Sequence, residues 1–246
     1  MINATQPSRL GDRRPPKPSV WDARVDAWEE IATSPTFRSL ATTVLELADP
    51  GPTDVVVDLG AGTGLLALPA AACAAKVYAV DYSEPMLARV AERAEFAGVG
   101  NVRCVHADLR ELPLADESAT IVVSNYAFHH LPDVGKELAL SEARRVLRPG
   151  GRLVICDMMF ALTLRPEDRA IVASKVAALA RKGPAGVFRI AKNVGRIAAR
   201  RWEHPATTER WIDLLEGRHF TDVTARMSVN EAGIACARRP VAQGTP

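Results

Sequence analysis

The sequence predicts an α/β fold with a mostly parallel seven-stranded sheet, helices on both faces and a C-terminal antiparallel hairpin. Short apolar runs alternate with amphipathic helical segments between residues 54 and 157, a pattern typical of parallel strands joined by crossover helices. The first apolar run ends in the glycine-rich sequence DLGAGTG. The last two apolar runs are joined by the short link Val229-Asn230-Glu231, so they must pair antiparallel.

The individual elements follow from periodicity and from helix-ending residues. Two helices come first, at Trp21 to Thr33 and Pro35 to Ala48, and the sequence Asp49-Pro50-Gly51-Pro52 ends the second. The predicted strands are 54–59, 76–81, 101–107, 119–125 and 151–157, and the hairpin strands are His219 to Met227 and Gly233 to Arg239. The predicted helices between them are 64–74, 83–97 and 134–147.

The predicted domain organisation is a disordered basic leader followed by one domain. Residues 1–18 are polar, proline-rich and basic, whereas residues 19–246 have the composition of a single globular core. A helical insertion is expected at about 161–217, with helices at 166–181 and 185–202. The second of these is apolar on one side and basic on the other. It is predicted to be a lid over the substrate cleft, an interfacial helix that contacts anionic lipid, or a patch for an anionic acceptor, and the lid and the lipid contact are compatible.

Composition limits the classes of partner and compartment. The net charge is only +2, and the basic stretch of the insertion lacks the interleaved aromatic residues that stack on bases, so no nucleic acid is expected. No apolar run reaches the ~18 residues of a membrane span. The four cysteines show no C-x-x-C pairing, and three lie in apolar strand patterns, which predicts buried free thiols in a cytoplasmic protein without a zinc site.

The glycine-rich loop predicts an adenosine-containing cofactor. Gly60, Gly62 and Gly64 allow the backbone to turn tightly and approach a ligand, and Asp81 follows at the end of the next strand, where a carboxylate typically binds ribose hydroxyls. The spacing is G-x-G-x-G, with Leu65 where a dinucleotide site has its third glycine. Asp58 would repel a pyrophosphate but suits a ligand that carries an ammonium and a sulfonium group.

This loop resembles motif I of the class I S-adenosylmethionine-dependent methyltransferases, of the methyltransferase type 11 or UbiE-like kind. Three further segments extend the resemblance in the same order: H-A-D-L at 106–109, I-V-V-S-N at 121–125 and R-V-L-R-P-G-G-R-L-V-I at 145–155. The resemblance implies a Rossmann-like fold, S-adenosyl-L-methionine as cofactor and S-adenosyl-L-homocysteine as product. It also implies transfer of the methyl group to a small-molecule acceptor by in-line displacement.

The resemblance assigns roles to the cofactor-binding positions. Asp58 would hold the ammonium group, Asp81 the ribose hydroxyls, and Asp108 with the Leu109 backbone the adenine amino group. Tyr82 would pack on the adenine, and the Asn125 backbone carbonyl would accept from the ammonium. The backbone contacts to the methionyl and ribose parts would come from Gly60, Ala61, Gly62 and Gly64.

The candidate catalytic residues are His129 and His130, just after the fourth strand, where the acceptor should approach. An imidazole can accept a hydroxyl proton near neutral pH, although a structural or cofactor-positioning role is an equal alternative. Trp21 and Trp28 either shield the cofactor or only dock the first helix. Asp157 lacks partnering carboxylates in the sequence, which predicts no metal.

Three functions remain open from the sequence. The leading hypothesis is methylation of an amphiphilic quinone, lipid or secondary metabolite, with a peripheral membrane contact through residues 185–202 as an option. A nicotinamide-dependent oxidoreductase is disfavoured by the glycine spacing. The third is a non-catalytic module that binds S-adenosylmethionine, because a fold does not fix a function.

Overall fold

The computed structural model describes residues 22–161 and 203–241, together with residues 169, 173, 176, 177, 180, 181, 183, 184 and 188. Its strands are β1 (Val55–Leu59), β2 (Lys76–Asp81), β3 (Val102–His106), β4 (Ala119–Asn125), β5 (Leu147–Met158), β6 (Thr221–Met227) and β7 (Ala232–Arg238). Its helices are α1 (Val25–Ala32), α2 (Pro35–Ala48), α3 (Ala67–Ala71), α4 (Glu84–Phe96), α5 (Asp133–Val146) and α6 (Thr208–Glu216). Single turns of 3₁₀-helix cover Asp22–Arg24 and Phe128–His130.

The strands form one sheet in the order β3-β2-β1-β4-β5-β7-β6. β1 to β5 are parallel, and β7 pairs antiparallel with both β5 and β6. The predicted fold class is therefore confirmed. The strand order reverses between β1 and β4, and in open α/β sheets a ligand crevice forms beyond the carboxyl ends of the strands at this point.

Two apolar layers hold helices on the two faces of the sheet. Leu40 and Val44 of α2 pack with Leu66 and with Val90 of α4 on one face. On the other face the fully buried Trp211 of α6 packs edge-on against Phe128, with ring centroids 5.5 Å apart. Burial of such large side chains is the main stabilising contribution to a fold of this kind.

Several predicted elements differ from the structure. The helix expected at 64–74 is only α3, because Gly64 has a φ of +90° and residues 62–66 form turns. The strand expected at 151–157 begins earlier, at Leu147, which pairs with Ala119. No helix was predicted at 208–216, where α6 forms. The first helix begins only at Val25, after the turn at Asp22–Arg24.

Some sequence-based predictions lie outside the described residues, namely the leader at 1–18, Trp21 and most of the two insertion helices at 166–181 and 185–202. The expectation of buried thiols holds for Cys156 but is wrong for Cys104. The reason is that Cys104 lies on β3, the edge strand of the sheet. Among the described residues, no helix combines the length and the apolar character needed to cross a membrane.

Candidate active site

A cavity of about 390 Å³ opens at the carboxyl ends of β1 and β2, next to the turn that follows β4. Its walls come from five parts of the chain: α1, the glycine loop, the end of β2 with α4, the segment after β3 and the segment after β4. The residues on these walls are Trp28, Gly60, Gly62, Asp81, Tyr82, Met86, Asp108, Leu109, Arg110, Tyr126, Ala127, His130 and Leu131. A volume of this size is in the range of small-molecule sites.

The glycine loop brings bare backbone to the cavity. A Cβ on Gly60, whose φ is +76°, would lie 2.3 Å from the Ala127 Cβ. A Cβ on Gly62, whose φ is +51°, would lie 2.7 Å from the Trp28 Nε1. Both the positive φ and the lack of space therefore require glycine here. Gly64 instead faces Leu68, and Ala61 is buried with its N–H donating to the Val80 carbonyl.

Asp81 ties the glycine loop to the end of β2. The Gly62 N–H donates to Asp81 Oδ2 at 2.8 Å, and the Ser83 N–H donates to Asp81 Oδ1 at 2.9 Å. Burial raises the pKa of Asp81, while these two bonds act in the opposite direction. Because each carboxylate oxygen has a second lone pair, Asp81 can still accept from hydroxyl groups of a ligand in the cavity.

Asp58 is a buried acid beneath the glycine loop. Its side chain is 1% exposed, and its Oδ2 has no hydrogen-bond partner among the described residues. Burial, reinforced by the nearby Asp81 charge, raises the pKa of Asp58 to about 8. The buried Asn125 amide at the end of β4 likewise has both polar atoms without a partner in the described part of the chain. These orphaned polar atoms fit a site that receives a cationic, hydrogen-bonding ligand.

Asp108 lies on the cavity wall but is paired with a neighbour. Arg110 donates to both oxygens of its carboxylate, with Nε to Oδ1 at 2.9 Å and Nη2 to Oδ2 at 2.6 Å. This hydrogen bonding lowers the pKa of Asp108. Sequence reasoning missed Arg110, which is also on the wall. Tyr82, 41% exposed at the rim, and Leu109 complete this side.

Helix α1 covers the glycine loop from above. Glu29 of α1 forms ion pairs with Arg89, at 2.5 Å, and with Arg93 of α4. Arg93 also donates to the Thr63 carbonyl of the glycine loop at 3.0 Å. Trp28 of the same helix lies on the cavity wall and also contacts Phe37 of α2, with ring centroids 5.7 Å apart. It therefore both lines the cavity and docks the helix.

The two candidate histidines occupy different places. His130 is on the cavity wall, whereas His129 is buried behind it, with ring centroids 3.9 Å apart. Asp157, 1% exposed, accepts from the His129 backbone N–H at 3.0 Å and contacts His129 Nδ1 at 2.6 Å. Tyr126, with a φ of +57°, stands edge-on to His129 and on the wall. Asp157 thus fixes the turn that presents His130 and Tyr126.

A buried lysine joins this turn to the segment that precedes α6. Lys136 Nζ donates to the Leu131 carbonyl at 2.6 Å and to the His204 carbonyl at 2.5 Å, and burial lowers its pKa. The His204 N–H donates in turn to the His129 carbonyl at 2.6 Å. Neither Lys136 nor His204 was singled out from the sequence as a partner of the histidines, because these contacts join distant parts of the chain.

Comparison with known proteins agrees with this geometry. A family model described as a methyltransferase domain matches residues 57–155, which run from β1 into β5. Residues 57–155 of the chain are therefore a methyltransferase domain of the class I S-adenosylmethionine-dependent kind. The predicted family is confirmed, and the glycine loop, Asp81 and Asp108 all lie within the matched region.

The relatives agree on the family while they differ in acceptor. A demethylmenaquinone methyltransferase of Clavibacter sepedonicus is 41% identical over 102 residues, which are 42% of this chain and 40% of that protein. Among solved structures, a SAM-dependent methyltransferase from Aquifex aeolicus has a TM-score of 0.62 at 18% identity, covering 87% of this chain and 98% of that one. A phosphoethanolamine N-methyltransferase 2 of Haemonchus contortus, in complex with S-adenosyl-L-methionine, has a TM-score of 0.65 at 18% identity. That match covers 89% of this chain and 57% of the other.

The chain spans between 40% and 54% of the length of the first two curated relatives that it matches. The match to the family model is confined to residues 57–155, which include the glycine loop, Asp81 and Asp108. The similarity to the solved structures, at such low identity, concerns the fold.

Proposed function

We propose that this methyltransferase moves the methyl group of S-adenosylmethionine to a small-molecule acceptor in the cavity beside Tyr126 and His130. The observation that carries the proposal is the combination of bare backbone at Gly60 and Gly62 with two acids, the half-buried Asp81 on the cavity wall and the buried Asp58 beneath the glycine loop. One of these acids has an orphaned oxygen, which suits a cationic ligand.

The cofactor-binding residues act in this proposal by position and charge. Asp58 accepts from the ammonium group, which returns the carboxyl to its charged form, and Asp81 accepts from the ribose hydroxyls while it holds the glycine loop. Asp108 and Leu109 flank the adenine, with Tyr82 packed on its face. The side chain or backbone of Asn125 completes the ammonium site. When bound, S-adenosylmethionine supplies an activated methyl group on a sulfonium.

The protein then has to align the acceptor and exclude water. Alignment of two reactants can lower a barrier by ~7–11 kcal/mol, so no strong chemical group is required for an acceptor that is already nucleophilic. Trp28 and Leu131 supply apolar walls, and Tyr126 limits the approach. If the acceptor is a hydroxyl, His130 is the imidazole on the wall that can accept its proton. His129, which Asp157 orients, stands directly behind it.

The acceptor class that we favour is an amphiphilic quinone, lipid or secondary metabolite. The apolar walls support this choice, as does the demethylmenaquinone named for the Clavibacter relative. A contact with the membrane surface through residues 185–202 remains a proposal from the sequence. A non-catalytic S-adenosylmethionine-binding module is the second candidate, because binding of the cofactor needs only the residues of the glycine loop and the acids.

The test is methyl transfer from S-adenosylmethionine labelled in its methyl group to a panel of quinols, phenols and lipid headgroups. We expect acceptor-dependent formation of S-adenosylhomocysteine and of a labelled product. His130→Asn should lower turnover about 10²–10⁴-fold on a hydroxyl acceptor while cofactor affinity changes little. His219→Asn, an exposed histidine far from the cavity, is the matched control. Cofactor binding without transfer to any acceptor would favour the non-catalytic module.

A further inference from the structure

Three metal-ligating side chains converge at the edge of the cavity, outside the cofactor-binding loop. His129, His130 and Glu203 each offer a ligand atom, and these atoms lie within 4.8 Å of one another. Two imidazoles and one carboxylate are the ligand set of open divalent-metal sites, in which the remaining positions accept water or substrate. The sequence-based prediction of no metal did not consider this set, because Glu203 is distant from the histidines along the chain.

His129 is already oriented in the way that metal-binding histidines usually are. Its Nδ1 lies 2.6 Å from Asp157 Oδ1, which leaves Nε2 as the ligand atom. A carboxylate that accepts a hydrogen bond from Nδ1, the nitrogen that does not bind the metal, fixes the tautomer and strengthens the imidazole as a ligand. The His129 backbone N–H donates to the other oxygen of Asp157 at 3.0 Å, so the ring and the main chain are held by the same buried acid.

The segment that carries Glu203 is fastened to the turn that carries the histidines. The next residue, His204, donates its N–H to the His129 carbonyl at 2.6 Å. The His204 carbonyl accepts from the buried Lys136 Nζ, which also holds the Leu131 carbonyl just after the turn. The three ligands therefore belong to two segments that are cross-linked through their backbones, which reduces the entropy lost when a metal binds.

We infer that His129, His130 and Glu203 bind one divalent transition-metal ion of the Zn²⁺ and Co²⁺ type. Two nitrogen ligands favour these ions over Mg²⁺ and Ca²⁺, which prefer oxygen ligands throughout. Of the three ligands His130 lines the cavity wall, so an ion bound here lies at the edge of the cavity. With the ion bound, His130 is a ligand and no longer the proton acceptor, and the ion would bind and polarise an oxygen of the acceptor instead. This last consequence rests on the proposed function, whereas the binding of the metal does not.

The test is metal titration of the protein after treatment with a chelator. Binding of Co²⁺ is detected by absorption spectroscopy, and binding of Zn²⁺ and Mg²⁺ is measured by calorimetry. We expect one Co²⁺ or Zn²⁺ ion per chain and no comparable binding of Mg²⁺.

Glu203→Gln and His130→Asn should each weaken binding about 10-fold or more, as should Asp157→Asn, which loses the carboxylate behind His129. Glu216→Gln and His219→Asn, both exposed and away from the cavity, are the matched controls and should bind as the wild type does.

Unchanged affinity in Glu203→Gln would overturn the inference. So would a sulfur-to-cobalt charge-transfer band, which would place the ion at the exposed Cys73 or Cys104 instead. Thermal unfolding without metal identifies any variant that fails to fold, and Glu203→Gln is chosen as the main test because its side chain is only partly buried. S-adenosylhomocysteine binding, measured on the same samples, reports separately on the proposed function.

Discussion

Asp157 accepts two hydrogen bonds from a single residue, His129: one from the backbone N–H at 3.0 Å and one at Nδ1, 2.6 Å away. Both groups are buried, and Asp157 also accepts from the Met158 N–H at 2.7 Å. A carboxylate at the end of β5 thereby determines where the turn after β4 lies, and with it one wall of the cavity.

Asp157→Asn should destabilise the fold by about 1–3 kcal/mol, because one oxygen that accepts from His129 becomes an amide donor. Denaturant unfolding followed by far-ultraviolet circular dichroism measures this change. The matched control is Asp116→Asn, whose exposed carboxylate pairs with Arg145 at 2.7 Å and should contribute about 0–1 kcal/mol. Equal effects of the two substitutions would show that Asp157 does not fix the turn.

Gly60→Ala should both destabilise the fold and abolish cofactor binding. Its Cβ would meet the Ala127 Cβ at 2.3 Å, so positive-φ strain and overpacking together should cost about 2–5 kcal/mol. Gly98→Ala separates the backbone strain from the overpacking, because Gly98 has a φ of +65° but no atom lies within 4 Å of the added Cβ. That control should lose only about 1–2 kcal/mol and bind S-adenosylhomocysteine normally. If Gly98→Ala weakened binding as much as Gly60→Ala, close approach of the loop would not be the cause.

Asp58→Asn should change how stability depends on pH. Because burial raises the pKa of Asp58 from 3.8 to about 8, the folded protein holds a proton that the unfolded chain releases between these values. The ligand-free protein should therefore lose stability as pH rises through this window. Asp58→Asn should remove that loss, so that its Tm advantage over the wild type is larger near pH 8 than near pH 5.

The same substitution should weaken S-adenosylhomocysteine about tenfold or more, since a charged hydrogen bond to the ammonium group is lost. Asp213→Asn, an exposed acid on α6, is the control for both measurements. Parallel pH profiles of the wild type and Asp58→Asn would contradict the assignment of a raised pKa to this carboxyl.

Glu29→Gln should loosen the cover that α1 forms over the glycine loop, because Glu29 pairs with both Arg89 and Arg93. A partly exposed network of this kind contributes about 0.5–1 kcal/mol, which corresponds to about two- to fivefold weaker S-adenosylhomocysteine binding. The difference should shrink at high salt. Glu30→Gln alters the exposed neighbour on the same helix and should have no effect. Calorimetry at low and high salt makes the comparison, and an equal response of Glu30→Gln would refute the role of Glu29.

The sheet and the positions of the proposed cofactor-binding residues were predictable because their signals are local. Buried parallel strands are apolar runs, and the glycine loop is a contiguous sequence that combines required positive φ values with close approach. Gly60, Gly62, Asp81, Tyr82, Asp108 and Leu109 all lie on the cavity wall. Their predicted roles toward the cofactor stay predictions, and so do those of Asp58 and Asn125, which are buried next to the wall.

The contacts around His129 and His204 could not be predicted, because each joins residues far apart in the chain. Asp157 reaches His129 across two elements, and Lys136 reaches the His204 carbonyl from α5. No periodicity or spacing encodes such pairs. The exposure of Cys104 was missed for a related reason, since an apolar strand pattern does not reveal that β3 is the edge of the sheet.

The central claim is that the cavity binds S-adenosylmethionine through Asp58 and Asp81. It is tested most directly by thermal unfolding with S-adenosylhomocysteine, S-adenosylmethionine and NAD in parallel. At a hundred times the dissociation constant, a ligand of the folded state adds about 2.7 kcal/mol. We predict that the two sulfur nucleosides stabilise the wild type and Asp213→Asn, and that Asp81→Asn binds them at least about tenfold more weakly. Stabilisation by NAD alone, or equal affinity in Asp81→Asn, would contradict the account.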